Sequence, residues 1–163
     1  MDFSIREYNN TASDRQALVA CMEKLQDHVA SVDPLKRFRR LPEFGLVYTD
    51  WLLRVIREQN GVIYFSENSG KVIGCAAGFI HEPEPKEVAE GTTRYGRVQE
   101  LYVDSAHRGH GIGQALMKKC EEYFRRNGCA FVYVEVFAPN KSAHDFYHTC
   151  GYEDRDINLM KKL

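Results

Sequence analysis

The strongest chemical signal in the sequence is a glycine-rich turn, Arg108–Gly113 (RGHGIG), between a predicted strand and a predicted helix. Its glycines let the backbone turn sharply and let a ligand approach it closely. The first N–H groups of a helix have no intrahelical acceptor, and the helix dipole is positive there. Together with the charge of Arg108, these features predict a site for an anion such as phosphate. A tight turn without a ligand is the alternative.

Two nucleotide-binding motifs do not fit this turn. A P-loop requires Lys and Ser or Thr after its last glycine, but Gln114 and Ala115 follow Gly113. The dinucleotide fingerprint requires GxGxxG, whereas Gly109, Gly111 and Gly113 give GxGxG. Both departures disfavour a nucleotide-binding regulatory domain.

The turn fits the pattern Arg/Gln-x-x-Gly-x-Gly/Ala, and two segments of the chain resemble the GNAT superfamily of acyl-CoA-dependent N-acyltransferases. The first, Val98–Leu116 (VQELYVDSAHRGHGIGQAL), is similar to the family's cofactor motif. The second, Asn140–Tyr152 (NKSAHDFYHTCGY), resembles the family's Asn-x-x-Ala-x-x-x-Tyr-x-x-x-Gly-Phe/Tyr segment. The order of predicted elements also agrees over nearly the whole chain, although residues 1–60 match only in element type.

The resemblance implies that acetyl-CoA is the cosubstrate. The residues that would hold its pyrophosphate are Arg108, Gly109, His110, Gly111, Ile112 and Gly113. The strands beside the turn are expected to splay apart, with the pantetheine arm bonded to backbone groups of Leu101, Tyr102 and Val103. The N–H of Leu101 or Val103 would polarise the thioester carbonyl. Asn140 is implied as a partner of the pantetheine arm, and helix capping is its other role.

Two residues are predicted to be catalytic, Tyr147 and Glu100. The family's tyrosine stands at the position of Tyr147, where a phenol can protonate the leaving thiolate; a core aromatic is the alternative. Glu100 lies at the centre of a strand, and Gln99 and Leu101 are predicted to point to the opposite face. The Glu100 carboxylate can take the amine proton or bind a cationic amine. A solvated or ion-paired acid is the alternative. Glu135 is a second candidate for the same role.

Histidine spacing raises the question of a metal site. His144 and His148 are four residues apart and can share a helix face, but the sequence offers no recognisable third ligand. We therefore expect no metal and two surface histidines. His107 and His110 flank the turn, where they either touch CoA or lie in solvent.

The predicted elements that must position these residues form a crossover unit and a hairpin. Strand 97–104, helix 111–127 and strand 130–137 form the crossover, which makes its two strands parallel. The apolar runs 62–66 and 72–80 flank an Asn-Ser-Gly turn and predict an antiparallel hairpin.

The other predicted elements complete one domain over residues 1–163. A short strand is predicted at 3–8, and a single strand or a strand pair at 152–162. Long helices are predicted at 14–32 and around 48–56, and a short helix after Pro139-Asn140. We predict an α/β (α+β) fold with a single mixed, twisted, mostly antiparallel sheet of 6–7 strands and about four helices. With the resemblance, the sheet is expected to be GNAT-like, with a splay between the strands at 97–104 and 130–137.

Composition limits the classes of partner. The 163 residues contain 22 Lys plus Arg and 23 Asp plus Glu, a balance that disfavours nucleic acid as a partner. No apolar run approaches the ~18 residues of a membrane span, and the N-terminus has no apolar signal region, so no membrane partner is expected. The five scattered cysteines contain no CxxC pair, which predicts reduced thiols and a cytoplasmic location. A homodimer is left open.

The sequence gives little information on the acceptor amine. Residues 81–90 contain four glutamates that can attract a cationic amine, whereas the basic stretch 36–40 favours an acidic acceptor or the CoA 3′-phosphate. Either charge run also fits a solvated surface. The aromatic residues that could wall an acceptor pocket, or simply pack in the core, are Phe38, Phe44, Tyr48 and Trp51.

These features predict an N-acetyltransferase that transfers an acetyl group from acetyl-CoA to a primary amine. The acceptor would be a small molecule or a peptide, and the amine would attack directly in a ternary complex. The alternative is a non-catalytic acyl-CoA-binding module that senses or recruits.

Overall fold

A computed structural model describes residues 1–83 and 94–162 of the chain. Its strands are β1 (Ser4–Glu7), β2 (Val62–Asn68), β3 (Lys71–His81), β4 (Tyr95–Val103) and β5 (Phe131–Val134). Its helices are α1 (Ala12–Val32), α2 (Phe44–Glu58), α3 (Ile112–Arg126) and α4 (Lys141–Thr149), with a short 3-10 turn at Ser105–His107. Within these described residues, no helix has both the length and the apolar character needed to cross a membrane.

The described strands form one open sheet in the order β1-β2-β3-β4-β5. The first three pairings are antiparallel, and only β4 and β5 run parallel. Because α3 connects the two parallel strands, the predicted crossover is confirmed, as is the mixed and mostly antiparallel sheet.

Helices cover both faces of the sheet. Helix α3 packs on one face through Leu116, Cys120 and Phe124, while α1 and α2 cover the other face. Strand β3 is therefore buried on both sides, which explains why its sequence is a continuous apolar run rather than an alternating one. The ring of Phe124 fits against the sheet because Gly96 has no side chain; a Cβ there would lie 2.2 Å from that ring.

The pairing between β4 and β5 is short, and it creates the opening that the resemblance implied. The ladder runs from Tyr95↔Phe131 to Val98↔Val134 and stops there, so the rest of β4 has no strand partner on that side among the residues that the structure describes. We call the opening between Gln99–Val103 of β4 and residues 135–139 the wedge. Strand β5 ends three residues earlier than predicted because the chain leaves the ladder at this point.

The predicted final strand at 152–162 is wrong. These residues form neither helix nor strand, so the described sheet has five strands rather than 6–7. The side chains of Ile157 and Leu159 are 84% and 92% exposed. Most of their neighbours are charged or polar, so the segment buries too little apolar surface to offset the entropy of ordering it.

All five cysteines lie among the described residues, and all are free thiols. Cys21, Cys75 and Cys120 are buried in the two cores, where they act as small apolar side chains.

Candidate functional site

The glycine-rich turn adopts a backbone conformation that depends on its glycines. Gly109 and Gly111 have φ values of +78° and +80°, in the left-handed region that side chains other than Gly rarely adopt. Gly111 is the N-cap of α3, and a Cβ at either glycine would point into open space. The His110 Nδ1 atom lies 2.9 Å from the Arg108 carbonyl oxygen and helps to fix the turn.

The turn presents a row of free backbone donors. Among the described residues, no protein group accepts a hydrogen bond from the N–H groups of residues 109–114. The first bond of α3 runs from the Ala115 N–H to the Gly111 carbonyl, at 3.0 Å. Arg108 is exposed, and within the described part of the chain it donates only its Nε, to the Val103 carbonyl at 3.1 Å. Its terminal nitrogens can therefore reach an anion. This arrangement suits the pyrophosphate of CoA.

The edge of β4 supplies the next row of backbone groups. The Asp104 N–H donates to the Ile73 carbonyl at 2.9 Å, so Asp104 forms a hydrogen-bonded pair with the neighbouring strand. Such pairs alternate along an antiparallel ladder, so Tyr102 also turns its N–H and C=O towards β3. Leu101 and Val103 therefore direct their backbone groups into the wedge.

A bulge in β4 gathers polar side chains beside the wedge. Ala77 pairs with Glu100 and Gly78 pairs with Val98, which leaves Gln99 as an extra residue in the strand. The Gln99 Nε2 atom lies 3.5 Å from the Glu100 carboxylate. The prediction that Gln99 points to the opposite face is therefore wrong, because a bulge interrupts the alternation of side chains.

Glu100 has an unusual environment for a carboxylate. It is half-buried, and its Oε1 atom accepts a short hydrogen bond from the Tyr48 hydroxyl. Desolvation by the surrounding protein raises the pKa of Glu100 to about 7, although Tyr48, Gln99 and Arg97 each favour the ionised form. A carboxylate that titrates near neutral pH is well matched to general-base catalysis.

Tyr48 reaches Glu100 from the first turns of α2. Its ring stacks on Phe44 with centroids 5.3 Å apart and also contacts Trp51, with centroids 5.1 Å apart. Burial and the charge of Glu100 raise the pKa of the Tyr48 hydroxyl, so it remains a proton donor at neutral pH. The sequence indicated only an aromatic wall here, since nothing local connects Tyr48 to a carboxylate 52 residues away.

Tyr147 lies on α4 against the same core that α3 covers. Its ring contacts Phe146 and Tyr152, with centroids 5.3 and 5.9 Å apart. Burial and the charge of Glu100 raise the pKa of the Tyr147 phenol, which keeps it protonated. Among the described residues, no group accepts a hydrogen bond from its hydroxyl.

Asn140 caps the helix that carries Tyr147. Its Oδ1 atom accepts a hydrogen bond from the Ala143 N–H at 3.3 Å, so the capping role that the sequence left open is present. Among the described residues, its side-chain amide donates to no protein group, and it can therefore bond a ligand as well.

Glu135 is placed differently from Glu100. It follows β5 and forms an ion pair with the guanidinium of Arg97. The Arg97 Nε atom in turn donates to Gln99 at 3.1 Å. Glu135 thus helps to hold the polar network, and its carboxylate is already paired with a guanidinium.

The charge runs considered for the acceptor are only partly described. Glu82 pairs with Arg94, while Glu84, Glu87 and Glu90 lie outside the described residues. In the basic stretch, Arg40 pairs with Asp27 of α1 at 2.8 Å. The same stretch includes Phe38, which meets Phe137 edge-on at 5.3 Å, so the loop between α1 and α2 reaches the segment that follows β5.

A cavity of about 440 Å³ lies away from this site. It is lined by Phe131 and Val132 at the start of β5, by Glu121 of α3 and by Tyr152. The wedge opens at the other end of β5, so this cavity does not contain the predicted catalytic groups.

Comparison with known protein families and sequences supports the resemblance. The Acetyltransferase (GNAT) family model matches residues 20–152. An uncharacterized N-acetyltransferase of Methanocaldococcus jannaschii is 34% identical over 125 residues, which cover 75% of this chain and 51% of that protein. The chain thus spans about half the length of the curated relatives it matches first.

Solved structures have the same fold. The BH1408 protein of Bacillus halodurans, solved as a mutant, superposes with a TM-score of 0.80 at 16% identity, over 98% of this chain and 99% of that chain. The aminoglycoside N-acetyltransferase AAC(6′)-Iy in complex with CoA superposes with a TM-score of 0.74 at 12% identity, over 99% and 95% of the two chains. At these identities the likeness concerns the fold alone.

Proposed function

The chain belongs to the GNAT family of acetyltransferases, and we propose that it transfers an acetyl group from acetyl-CoA to a primary amine of a small molecule or peptide. The observation that carries the proposal is the wedge, with the backbone groups of Leu101 and Val103 directed into it and Glu100 beside it. The amine would attack the thioester directly while both substrates are bound.

The donor would bind through the backbone. The N–H groups of residues 109–114 and the guanidinium of Arg108 fit the pyrophosphate, because all of them are donors and the turn is open to solvent. Leu101 and Val103 would bond the pantetheine arm as if it were an added strand. Asn140 would contribute its free amide from the other side of the wedge.

The backbone of β4 would also stabilise the reacting carbonyl. Negative charge develops on the thioester oxygen when the amine attacks, and a fixed N–H directed at that oxygen lowers the barrier. The N–H of Leu101 or Val103 is directed into the wedge and would serve this role.

Glu100 would remove the proton from the amine. With a pKa of about 7, the carboxylate is substantially ionised at neutral pH and is basic enough to accept a proton directly or through water. Tyr48 would hold the carboxylate in position by donating its hydroxyl proton to Oε1. The neighbouring rings of Phe44 and Trp51 would offer aromatic faces to a cationic acceptor.

Tyr147 would complete the transfer at the leaving group. As the new C–N bond forms, the C–S bond breaks and the sulfur leaves as a thiolate. The protonated phenol of Tyr147 would donate its proton to that sulfur.

The test combines acetyl-CoA binding with acetyl transfer, and α3 offers a matched pair of variants. Gly111→Asn and Gly128→Asn change glycines with φ near +80° at opposite ends of α3, with open space at both positions. Asn tolerates this conformation. Calorimetry should show acetyl-CoA binding to the wild type and Gly128→Asn, and binding at least tenfold weaker to Gly111→Asn.

The same proteins are then assayed for release of the CoA thiol with a panel of a polyamine, an aminoglycoside and a lysine peptide. Release that depends on the amine and is lost in Gly111→Asn is the expected result. Tight binding without release for any amine would instead favour a non-catalytic acyl-CoA sensor. Absence of acetyl-CoA binding by the folded wild type would refute the proposal.

A further inference from the structure

Three potential metal ligands converge on the part of α4 that the proposed reaction does not use. The Nε2 atoms of His144 and His148 are 3.2 Å apart. Asp154 Oδ1 lies 2.7 Å from the first and 3.3 Å from the second. Among the residues that the structure describes, these form the one group of three His, Cys, Asp or Glu side chains whose ligand atoms all lie within 4.8 Å.

The local fold explains why Asp154 arrives there. Helix α4 ends with Gly151 in a left-handed conformation, at φ +87°. The Gly151 N–H bonds the His148 carbonyl at 3.0 Å, and the Tyr152 N–H bonds the Tyr147 carbonyl at 3.1 Å. This C-terminal cap turns the chain back along the helix. Asp154 therefore lies beside two histidines that already share one face at i, i+4 spacing.

The cluster offers three possible donor atoms to a metal ion. Each Nε2 atom carries either a proton or a lone pair, depending on the tautomer of its ring. In the tautomers that leave both Nε2 atoms unprotonated, their lone pairs and the carboxylate oxygen can bind one metal ion. The two imidazole rings are nearly perpendicular, at 80°, so both Nε2 atoms reach the same oxygen without stacking.

The distances also fit a tetrahedral metal ion. Zn²⁺ binds nitrogen and oxygen ligands at about 2.0–2.2 Å, which places neighbouring ligand atoms of a tetrahedron about 3.3–3.6 Å apart. Two of the three distances, 3.2 and 3.3 Å, nearly equal this spacing. The third is a hydrogen bond of 2.7 Å, which would lengthen by roughly 0.6 Å on metal binding.

We propose that His144, His148 and Asp154 form a binding site for a divalent transition metal ion, with Zn²⁺ as the ion to test. Imidazole ligands favour Zn²⁺, Cu²⁺ or Ni²⁺ over Mg²⁺ or Ca²⁺. The side chains are 31%, 44% and 64% exposed, so an ion can enter from solvent. The site departs from the sequence expectation of no metal because the third ligand becomes visible only in the fold.

A bound ion would link the segment after Gly151 to α4. After the half-buried Tyr152, residues 153–162 are exposed and lack regular structure. Because α4 also carries Tyr147, the metal would brace the helix that holds a proposed catalytic residue. The site itself does not depend on acetyl transfer, and it can be tested without acetyl-CoA.

Zinc binding is measured by competition with a chromogenic chelator, on the full chain without CoA. The wild type should bind one equivalent of Zn²⁺. His144→Gln and His148→Gln should each weaken the binding at least tenfold, and Asp154→Asn should weaken it less. The control His28→Gln, which changes a histidine on α1, should bind as the wild type does. Circular dichroism checks that each variant is folded, and the three site variants test the proposal independently.

Trypsin supplies a second readout that does not involve the chelator. Arg155 is exposed next to Asp154, and Zn²⁺ should slow cleavage there in the wild type and in His28→Gln but not in His148→Gln. No saturable Zn²⁺ binding by the wild type, or unchanged binding in both His144→Gln and His148→Gln, would overturn the proposal. Binding that is lost in Cys150→Ser but kept in the histidine variants would also overturn it, since the ligand would then be a thiol.

Discussion

The donor and acceptor halves of the proposed site are built in different ways. The donor half uses the turn, the edge of β4 and α4, and its residues lie within two continuous stretches, 98–116 and 140–152. The acceptor half joins Tyr48 of α2 to Glu100 of β4 across 52 residues of sequence. The first half binds mainly through backbone groups and adds a few side chains such as Arg108 and Tyr147. The second half depends on side chains that meet only through tertiary packing.

This difference affects how each half responds to change. Backbone donors are insensitive to most substitutions, so a donor site can persist while its surroundings vary. Side-chain contacts such as Tyr48–Glu100 depend on the orientation of α2 and on each side chain. We therefore expect substitutions in the donor half to act on acetyl-CoA or the leaving thiolate, and those in the acceptor half to act on proton removal.

The largest effect is expected for Tyr147→Phe in the donor half. The change removes one hydroxyl and keeps the ring that packs on Phe146 and Tyr152. If the phenol protonates the thiolate, kcat should fall roughly 10- to 1000-fold while the acetyl-CoA Kd changes little. Single-turnover transfer and acetyl-CoA titration separate the two quantities.

Tyr123→Phe is the matched control, since that hydroxyl donates to the Asn60 carbonyl away from the wedge. If folded Tyr147→Phe transfers acetyl at the wild-type rate, Tyr147 is a core aromatic residue and not a catalytic one. An equal loss of rate and of acetyl-CoA binding would make it a positioning residue for the donor.

Arg108→Ala should act on binding alone. Loss of a charged hydrogen bond to phosphate should weaken acetyl-CoA binding by about 1–3 kcal/mol, or roughly 5- to 150-fold. Calorimetry with acetyl-CoA and with a pantetheine fragment that lacks the pyrophosphate is the measurement, and Arg125→Ala at the far end of α3 is the control. An equal loss for the fragment would show that Arg108 does not contact the phosphates.

The sequence predicts correctly those parts of the structure that neighbouring residues determine. The crossover of β4, α3 and β5 follows from the periodicity of apolar residues and from the glycines at the ends of α3. The turn at Gly109 and Gly111 follows from the preference of the left-handed backbone region for glycine. These features need no knowledge of distant contacts.

The sequence does not predict the features that depend on contacts between distant parts of the chain. The bulge at Gln99 depends on how β4 pairs with β3, and it reverses the facing predicted from alternation. The final strand was predicted from local pattern, yet Ile157 and Leu159 find no partner among the described residues. The Tyr48–Glu100 bond could not be predicted, because helical spacing gives the apolar face of α2 but not the residue it meets.

Glu100→Gln should show how much the half-buried carboxylate of the acceptor half lowers the free energy of unfolding. Desolvation raises the folded pKa of Glu100 to about 7, so the folded state binds more protons than the unfolded state between pH 4.5 and 7. Wild-type stability should therefore fall as pH rises through this window. Glu100→Gln should be more stable by about 1–2 kcal/mol at pH 8, after allowance for partial exposure, and no more stable at pH 4.

Urea unfolding of both proteins at several pH values measures this difference. Glu135→Gln is the control, because that carboxylate is paired with Arg97 and should not gain stability when neutralised. A difference between Glu100→Gln and the wild type that does not change with pH would contradict the raised pKa.

The smallest expected effect also lies in the acceptor half, and it comes from Tyr48→Phe. Desolvation raises the pKa of Glu100, and the Tyr48 hydrogen bond opposes that rise. Removing the hydroxyl should therefore move the pKa further up, on the order of one unit or less. The packing of Phe44 and Trp51 on the ring should be retained, since only one oxygen is lost.

The pH dependence of kcat/KM with one fixed amine tests the central claim, that Glu100 held by Tyr48 removes the amine proton. The account predicts a limb that rises with an apparent pKa of about 7 in the wild type and in Tyr123→Phe. That limb should move to higher pH in Tyr48→Phe and disappear in Glu100→Gln, where only the titration of the amine remains. The same limb at the same pH in all four proteins would contradict the account.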